Sequence, residues 1–486
     1  GECLGIHPAC KSDVKQGIFM KALNSLNISG NEVLPLVEGG KGISATNGAS
    51  SGAWAAAGGV GTVSCVNADN FDENGNVIPQ IYHGKTRTER HAELIQYGID
   101  GGVRQVKDAH DVSNGQGRIH INVLWEMGGA EPVLEGILNE TKGLVHGITC
   151  GAGMPYKLSE IAANHKVFFH PIISSARAFG ILWKRAYKNY GEWLGGVVYE
   201  DPWLAGGHNG LSNAEDPLEP QDPYPRVAAL RALMNKFGLD HVPIIMAGGV
   251  WFLRDWEHWF DNPEIGLIAF QYGTRPLLTK ESPIPQGWKD RLTGLQEGDI
   301  TLHRFSPTGF YSSAVRNNLL RALEGRSVRQ VDFRRKAGVD ELFNTEVAIG
   351  RKKYFVKEDD RSKVLNWVDQ GFNTSMRTPD DSLILVTAED AGSIRLDQKN
   401  CMGCLSQCKF SNWSENPDTN YSTGRGADPR SFCIQKALMN IAHGESLEDN
   451  LMFAGHTAFN FASDPFYSNG FVPTVKELMK RIATGD

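Results

Sequence analysis

No stretch of this 486-residue chain approaches the roughly 18 consecutive apolar residues that a membrane-spanning helix requires. The opening residues, Gly1 to Gly17, lack the charged-then-apolar order of a secretory signal, so the expectation is a cytoplasmic protein without a membrane partner. A basic excess is missing too: 49 Lys and Arg stand against 56 Asp and Glu, for a net charge of −7. Phosphate backbones demand a positive surface, which argues against nucleic acid as a general partner. Cysteine is sparse, eight in all, and not in the dense pattern of a secreted disulfide scaffold. There is no internal repeat and no low-complexity tract. The "GKT" at Gly84 to Thr86 lacks the glycine five positions earlier that a phosphate-binding P-loop needs, since Pro79 stands there.

What is present is ordinary globular material, 41% hydrophobic and 22% charged, with 54 glycines that imply many tight turns and close backbone approaches. Eight short apolar runs precede residue 275: Val33–Val37, Val60–Cys65, Ile119–Trp125, Leu144–Cys150, Lys166–Ile172, Leu194–Glu200, Val242–Gly248 and Ile265–Gly273. Most are continuous rather than alternating, as parallel strands buried on both faces are. Helical patterns separate them, at Ser50–Ala57, Lys85–Ala109, Ala130–Glu140, Lys157–His165, Ser175–Tyr190, Arg226–Gly238 and Phe252–Phe260. Strand and helix alternating to eight predict an α/β fold, a (β/α)8 TIM barrel, whose sites lie at the C-terminal ends of the strands. After strand eight the pattern breaks: Lys280–Leu323 reads as loop and helix, and the charged stretch from Val328 begins an additional C-terminal region.

The strand ends carry the chemistry. "AGGHNG", Ala205 to Gly210, crowds His208 with glycines at the end of strand six. A lone histidine is more often structural, but this one falls at the catalytic end of a barrel. Gly39 and Gly40 after strand one, with Gly58, Gly59 and Gly61, let backbone approach a flat ligand, or simply make turns. Strands seven and eight end in "MAGGVW" and "FQYGTRPLLTKES", and Gly248, Gly249, Gly273 and Thr274 form the cup where such barrels frequently bind phosphate.

These motifs, with "PLVEGGKGISATNGASSGAWAAAGGVGTVS" at strand one and "INVLW" at strand three, resemble the nitronate monooxygenase (2-nitropropane dioxygenase) family of FMN-dependent TIM-barrel oxidoreductases. That family includes FMN-dependent enoyl-acyl-carrier-protein reductases. The likeness covers roughly residues 30 to 325, fading through "GDITLHRFSPTGFYSSAVRNNLL". It implies an FMN-binding barrel over 1–325 and an additional region over 326–486 packing back on it. It implies further that Gly39, Gly40 and Lys41 lie beside the flavin ring, that Asn122 bonds its pyrimidine edge, and that Gly206, Gly207, Gly248, Gly249, Gly273 and Thr274 approach the ribityl phosphate, with Gln271 beside them. His208 takes the place of the family's histidine, the base or hydrogen-bonding group in nitronate oxidation, a small-molecule reaction that imidazole and flavin can carry. Two departures stand out. Lys41 occupies a position where many relatives are apolar, and Asn209 replaces the arginine of "GGHRG". Glu200, ending strand six, lines the site or is a solvated loop acid.

Half of the cysteines fall late: "CMGCLSQC" supplies Cys401, Cys404 and Cys408, and Cys433 follows. Thiolates so spaced can converge on one metal centre. Three close cysteines with one remote fit a [4Fe-4S] cluster better than zinc, which usually pairs two CxxC knuckles; free or disulfide-bonded thiols are the remaining reading. Three functional classes follow. The first is an FMN-dependent oxidoreductase resembling nitronate monooxygenases, which oxidises alkyl nitronates or similar small substrates with flavin and O2. The second is an iron–sulfur/FMN reductase of enoyl or other unsaturated substrates, drawing on NAD(P)H or a ferredoxin-like donor protein. The third is a non-catalytic flavin-binding module.

Overall fold

A computed structural model of the chain describes residues 20–151, 153–338 and 341–485. The N-terminal segment read for a signal sequence, with Cys3 and Cys10, lies outside the described residues. Eight strands close a barrel: β1 (Leu36–Glu38), β2 (Val60–Ser64), β3 (Arg118–Leu124), β4 (Gly147–Gly151), β5 (Phe168–Ile173), β6 (Val197–Glu200), β7 (Ile244–Ala247) and β8 (Ile268–Tyr272). Each pairs in parallel with its neighbours in sequence, and β8 closes on β1. The TIM barrel expected from the eight apolar runs is therefore the fold.

Helices fill the crossovers: α1 (Gly48–Ala56), α2 (Arg87–Ser113), α3 (Ala130–Glu140), α4 (Leu158–His165), α5 (Ala176–Arg185) and α6 (Pro223–Lys236). Side-chain caps fix several starts: Asn47 accepts from Ser50 N–H ahead of α1, and Thr86 of the rejected "GKT" accepts from Glu89 N–H ahead of α2. The helical layer sits tightly on the strands. A Cβ at Gly61 would lie 1.9 Å from the Ser51 carbonyl oxygen, so only glycine lets α1 rest on β2.

Several elements differ from their expected bounds, strands four, six and eight each beginning three residues late and α6 three residues early, and four further differences bear on the architecture. The first strand begins three residues late, because Val33 pairs instead with Leu26 in a hairpin, and Pro35 separates the two pairings. The expected helix over Ser175–Tyr190 stops at Arg185, where Ala186 leaves the helical region. Phe252–Phe260 forms only a 3-10 turn, Leu253–Trp259. Within Lys280–Leu323, read as loop and helix, an antiparallel pair forms, Ile300–His303 with Ser312–Val315.

Beyond the barrel, Gln330–Asp332, Ser382–Val386 and Thr374–Arg377 make a small antiparallel sheet around its own apolar cluster, including Val331, Val356 and Leu385. From Cys401 onward the chain returns to the barrel. Trp413 and Leu438 share a core with Ile43 and Leu94, while Leu478 and Ile482 of the last helix pack into the core that holds Trp54. No helix among the described residues is long and apolar enough to cross a membrane.

At the opposite end of the barrel from the expected site, Ser29 joins two buried histidines, its Oγ 2.8 Å from His120 Nε2 and 2.9 Å from His170 Nε2. Burial drives both imidazoles toward neutrality, His170 from 6.5 to about 3 and His120 well below 6.5. Above 6.5 neither state binds these protons, so their stabilisation is complete. As the pH falls from there toward 3 the unfolded chain takes up protons that the folded chain refuses, and stability is lost at up to about 1.4 kcal/mol per imidazole per pH unit. Denaturant titrations between about pH 7 and 4 are expected to show that slope, and His170→Gln is expected to reduce it.

Candidate functional site at the barrel mouth

The C-terminal ends of the strands open into a cavity of about 790 Å³, joined by a smaller one of about 70 Å³. The larger is lined by Gly40, Lys41, Asn122, Gly206, Gly207 and His208, and also by Gln271, Gly273 and Thr274. Gly39, Gly248 and Gly249 line the smaller one. The eleven residues expected around a cofactor and the histidine expected to act on substrate are thus brought together.

Local geometry explains the residue types. Gly248 and Gly249 sit at φ +89° and +81°, a region costly for other residues. A Cβ on Gly40 would lie 2.4 Å from the Asn122 side chain, and one on Gly206 would lie 2.6 Å from the Ala454 backbone. At Gly273 the same position meets nothing within 4 Å, leaving space for a bound group. Asn122 Oδ1 is buried without a hydrogen-bond partner, an orphan that a ligand N–H would satisfy. Thr274 Oγ1 accepts from Gly455 N–H at 2.9 Å, so its hydroxyl serves the covering segment as well as the cup.

His208 is held from outside the barrel strands. Gly207–His208 pairs antiparallel with Ser312–Ser313, and His208 Nε2 lies 2.7 Å from Ser306 Oγ. The ring also meets Phe453 edge-on, centroids 5.8 Å apart. Burial brings its pKa from 6.5 down to about 4, so it is neutral at physiological pH. Glu200, undecided from the sequence, lines both cavities. Burial, and then the neighbouring Asp201, raise its pKa to about 8, making it predominantly a protonated acid and a hydrogen-bond donor near pH 7. Asn209 is buried and turned onto local backbone, its Oδ1 accepting from Leu211 N–H at 3.1 Å.

Ser306, Phe453 and Gly455 escaped the sequence reading. The stretch "HRFSPTGFYSS" signalled only a fading family likeness, although it is the segment that fixes His208. Phe453 and Gly455 come from more than two hundred positions away and carry no local signal.

The C-terminal segment closes the mouth. Cys404, Leu405, Ile434 and Leu438 form an apolar wall of the larger cavity. The Cys404 carbonyl accepts from Gly128 N–H at 2.8 Å and from Asn67 Nδ2 at 3.2 Å.

A parallel eight-stranded barrel with glycine cups and an imidazole around one deep mouth defines a cofactor-dependent barrel enzyme. The chain belongs to the nitronate monooxygenase family, whose model matches residues 129–385. It is thereby an oxidoreductase, and the family implies FMN. The residues present fit such a group: Asn122 offers a free acceptor, Gly273 leaves open space, and the glycine turns after β6, β7 and β8 face the same mouth. Similar solved structures include FabK from Thermotoga maritima, 17% identical with a TM-score of 0.43, covering 60% of this chain and 73% of that one. Nitroalkane oxidase from Streptomyces ansochromogenes is likewise 17% identical with a TM-score of 0.43, covering 59% of this chain and 78% of that one. No curated protein matches the chain.

Lys41 and Glu38 form a buried ion pair at the cavity edge, Nζ to Oε2 2.7 Å, while Glu38 Oε1 accepts from Thr62 N–H at 3.0 Å. Removing one partner strands the other charge, at a cost of roughly 3–5 kcal/mol. Lys41→Met is expected to lose that much in chemical unfolding, and the double variant Lys41→Met/Glu38→Gln is expected to recover most of it. Equal losses in the single and double variants would exclude this coupling.

Proposed function

We propose that the chain is an FMN-dependent oxidoreductase that oxidises small alkyl nitronates, with O2 as the final electron acceptor. The observation that carries this reading is the uncharged imidazole of His208, held by Ser306 and the Ser312–Val315 strand, at the cavity that gathers the expected flavin residues. FMN, when bound, supplies the two-electron acceptor. Gly39, Gly40, Lys41, Asn122, Gln271 and the cups at Gly206–Gly207, Gly248–Gly249 and Gly273–Thr274 are proposed to hold it. His208 is the group proposed to hydrogen-bond and orient the nitronate, which already lacks its acidic proton, Glu200 donates a hydrogen bond from its neutral carboxyl, and Phe453 with Leu438 keeps water from the reacting face.

One observation favours the second reading, a reductase of enoyl or other unsaturated substrates supplied by NAD(P)H or a donor protein. The cavity is roofed by apolar side chains and by Cys404, so it suits a longer apolar substrate and brings a thiol to the flavin chamber.

Anaerobic mixing separates the readings. Bleaching of the bound flavin by an alkyl nitronate, without NAD(P)H, is the expected result. Reduction by NAD(P)H followed by enoyl-thioester turnover would transfer the assignment to the reductase, and no reduction by either donor would leave a flavin-binding module. His208→Ala is expected to retain FMN and slow flavin reduction by about 10²-fold or more. Because the His208 imidazole titrates at about 4 and the Glu200 carboxyl at about 8, the rate is expected to stay level from about pH 7 to 5, to fall below that as His208 gains a proton, and to fall above it as Glu200 loses the one it donates. A break near 6.5 would show that another group carries the proton.

A further inference from the structure

The four late cysteines come from two separate segments, 401–408 and 433, yet they meet in one place. All four are free thiols, three of them buried, in the core that joins the barrel to its cover. Each of the six pairs among Cys401, Cys404, Cys408 and Cys433 is close enough to interact electrostatically. Packing alone would explain buried sulfur but not the groups aimed at it. Gly403 N–H points to Cys401 Sγ at 3.4 Å and Ser411 Oγ donates to it at 3.2 Å. Backbone N–H groups of Gln435, Ser411 and Lys436 are directed at Cys404, Cys408 and Cys433 respectively. Donors therefore gather around the cluster of sulfurs, with two hydrogen bonds on Cys401, the arrangement that stabilises thiolate ligands of a metal centre and tunes its potential.

The spacing selects the centre. Among the described residues no group of three or more His, Cys, Asp or Glu side chains is placed to hold a metal ion, so the choice rests on chain spacing: three close cysteines with one remote fit a cubane better than zinc, which usually pairs two CxxC knuckles. Four thiolates on one zinc, each bonded at about 2.3 Å, would have to crowd together. A cubane cluster holds its thiolates further apart, because iron and sulfide stand between them. Charge is provided for as well: Arg90 Nε donates to the Cys401 carbonyl at 2.9 Å, and Arg87 Nη1 to the Ser411 carbonyl at 2.6 Å, which brings two guanidinium groups to a loop that would carry an anionic cluster.

We infer that Cys401, Cys404, Cys408 and Cys433 ligate a [4Fe-4S] cluster at the junction of barrel and cover, with Cys404 as the ligand facing the flavin cavity. Occupancy of this site is independent of the nitronate assignment, since it is read from iron and sulfide rather than from turnover. The full-length protein, purified anaerobically and reconstituted with ferrous iron and sulfide, is expected to hold about four iron and four acid-labile sulfide per chain, and to give the electron paramagnetic resonance signal of a reduced cubane after dithionite. Cys404→Ser and Cys433→Ser are each expected to lose most of the iron and that signal, whereas Cys65→Ser, in the barrel core, retains both. FMN content, measured separately on each variant, distinguishes a lost cluster from a lost fold. Absence of iron after reconstitution, one zinc per chain in its place, or unaltered iron in both serine variants would overturn the assignment.

Discussion

The carbonyl oxygen of Cys404 is the knot that ties the end of the chain to the barrel. It accepts from the backbone of Gly128, after β3, and from the side chain of Asn67, after β2, so one atom bridges two strand ends and the cover above them. The approach is close enough that a Cβ on Gly128 would fall 1.9 Å from the Gly403 carbonyl oxygen, and Gly403 itself sits at φ +69°. The cysteine loop has little regular pairing of its own, so its carbonyls must be satisfied from elsewhere. Arg87, Arg90 and His91, all within the first five residues of α2, do this by donating to Ser411, Cys401 and Gly403. The enclosed mouth exists because this loop is held down.

Enclosure then sets the protonation of the groups inside. A carboxyl and an imidazole respond to the same loss of water in opposite directions on the pH scale, Glu200 rising to about 8 and His208 falling to about 4, and both end uncharged near neutrality. Lys41 and Glu38 are buried against each other, Nζ to Oε2 2.7 Å. Lys41 is thus matched to the glutamate three positions earlier rather than to bulk water.

Much of this was legible in the sequence because parallel strands buried on both faces write themselves as continuous apolar runs, and the glycines at Gly206–Gly207 and Gly248–Gly249 mark where backbone must turn sharply. The first strand was misplaced because Val33 and Leu36 look alike as apolar residues, and only their partners, one in the basal hairpin and one in β8, tell them apart. The hairpin that steadies His208 was invisible for a related reason: Ser312–Val315 is buried throughout but built of Ser, Ser, Ala and Val, without the bulky β-branched signature of a strand. Phe453 and Gly455 could not be found at all, since their role arises from a chain return that no local pattern encodes.

That return also explains why the long C-terminal region serves the site in two different ways. The small sheet has two apolar faces: Val331, Leu383 and Leu385 pack in a cluster of their own, while Met376, Ile384 and Val386 join the core that holds the cysteine loop. The segments from Cys401 onward pack largely on one another, through Phe410, Trp413, Phe432 and Leu438, and are joined to the barrel side through Ile43, Leu94, Ala45 and Trp251. Ordering them costs backbone entropy that this packing and docking offset, and the contact between Asn67 and Cys404 spans 337 positions of chain. The cavity is consequently the product of both halves of the sequence. Barrel strands supply the cups and Asn122, the post-barrel hairpin orients His208, and the returning chain contributes Phe453 and an apolar wall that includes Cys404.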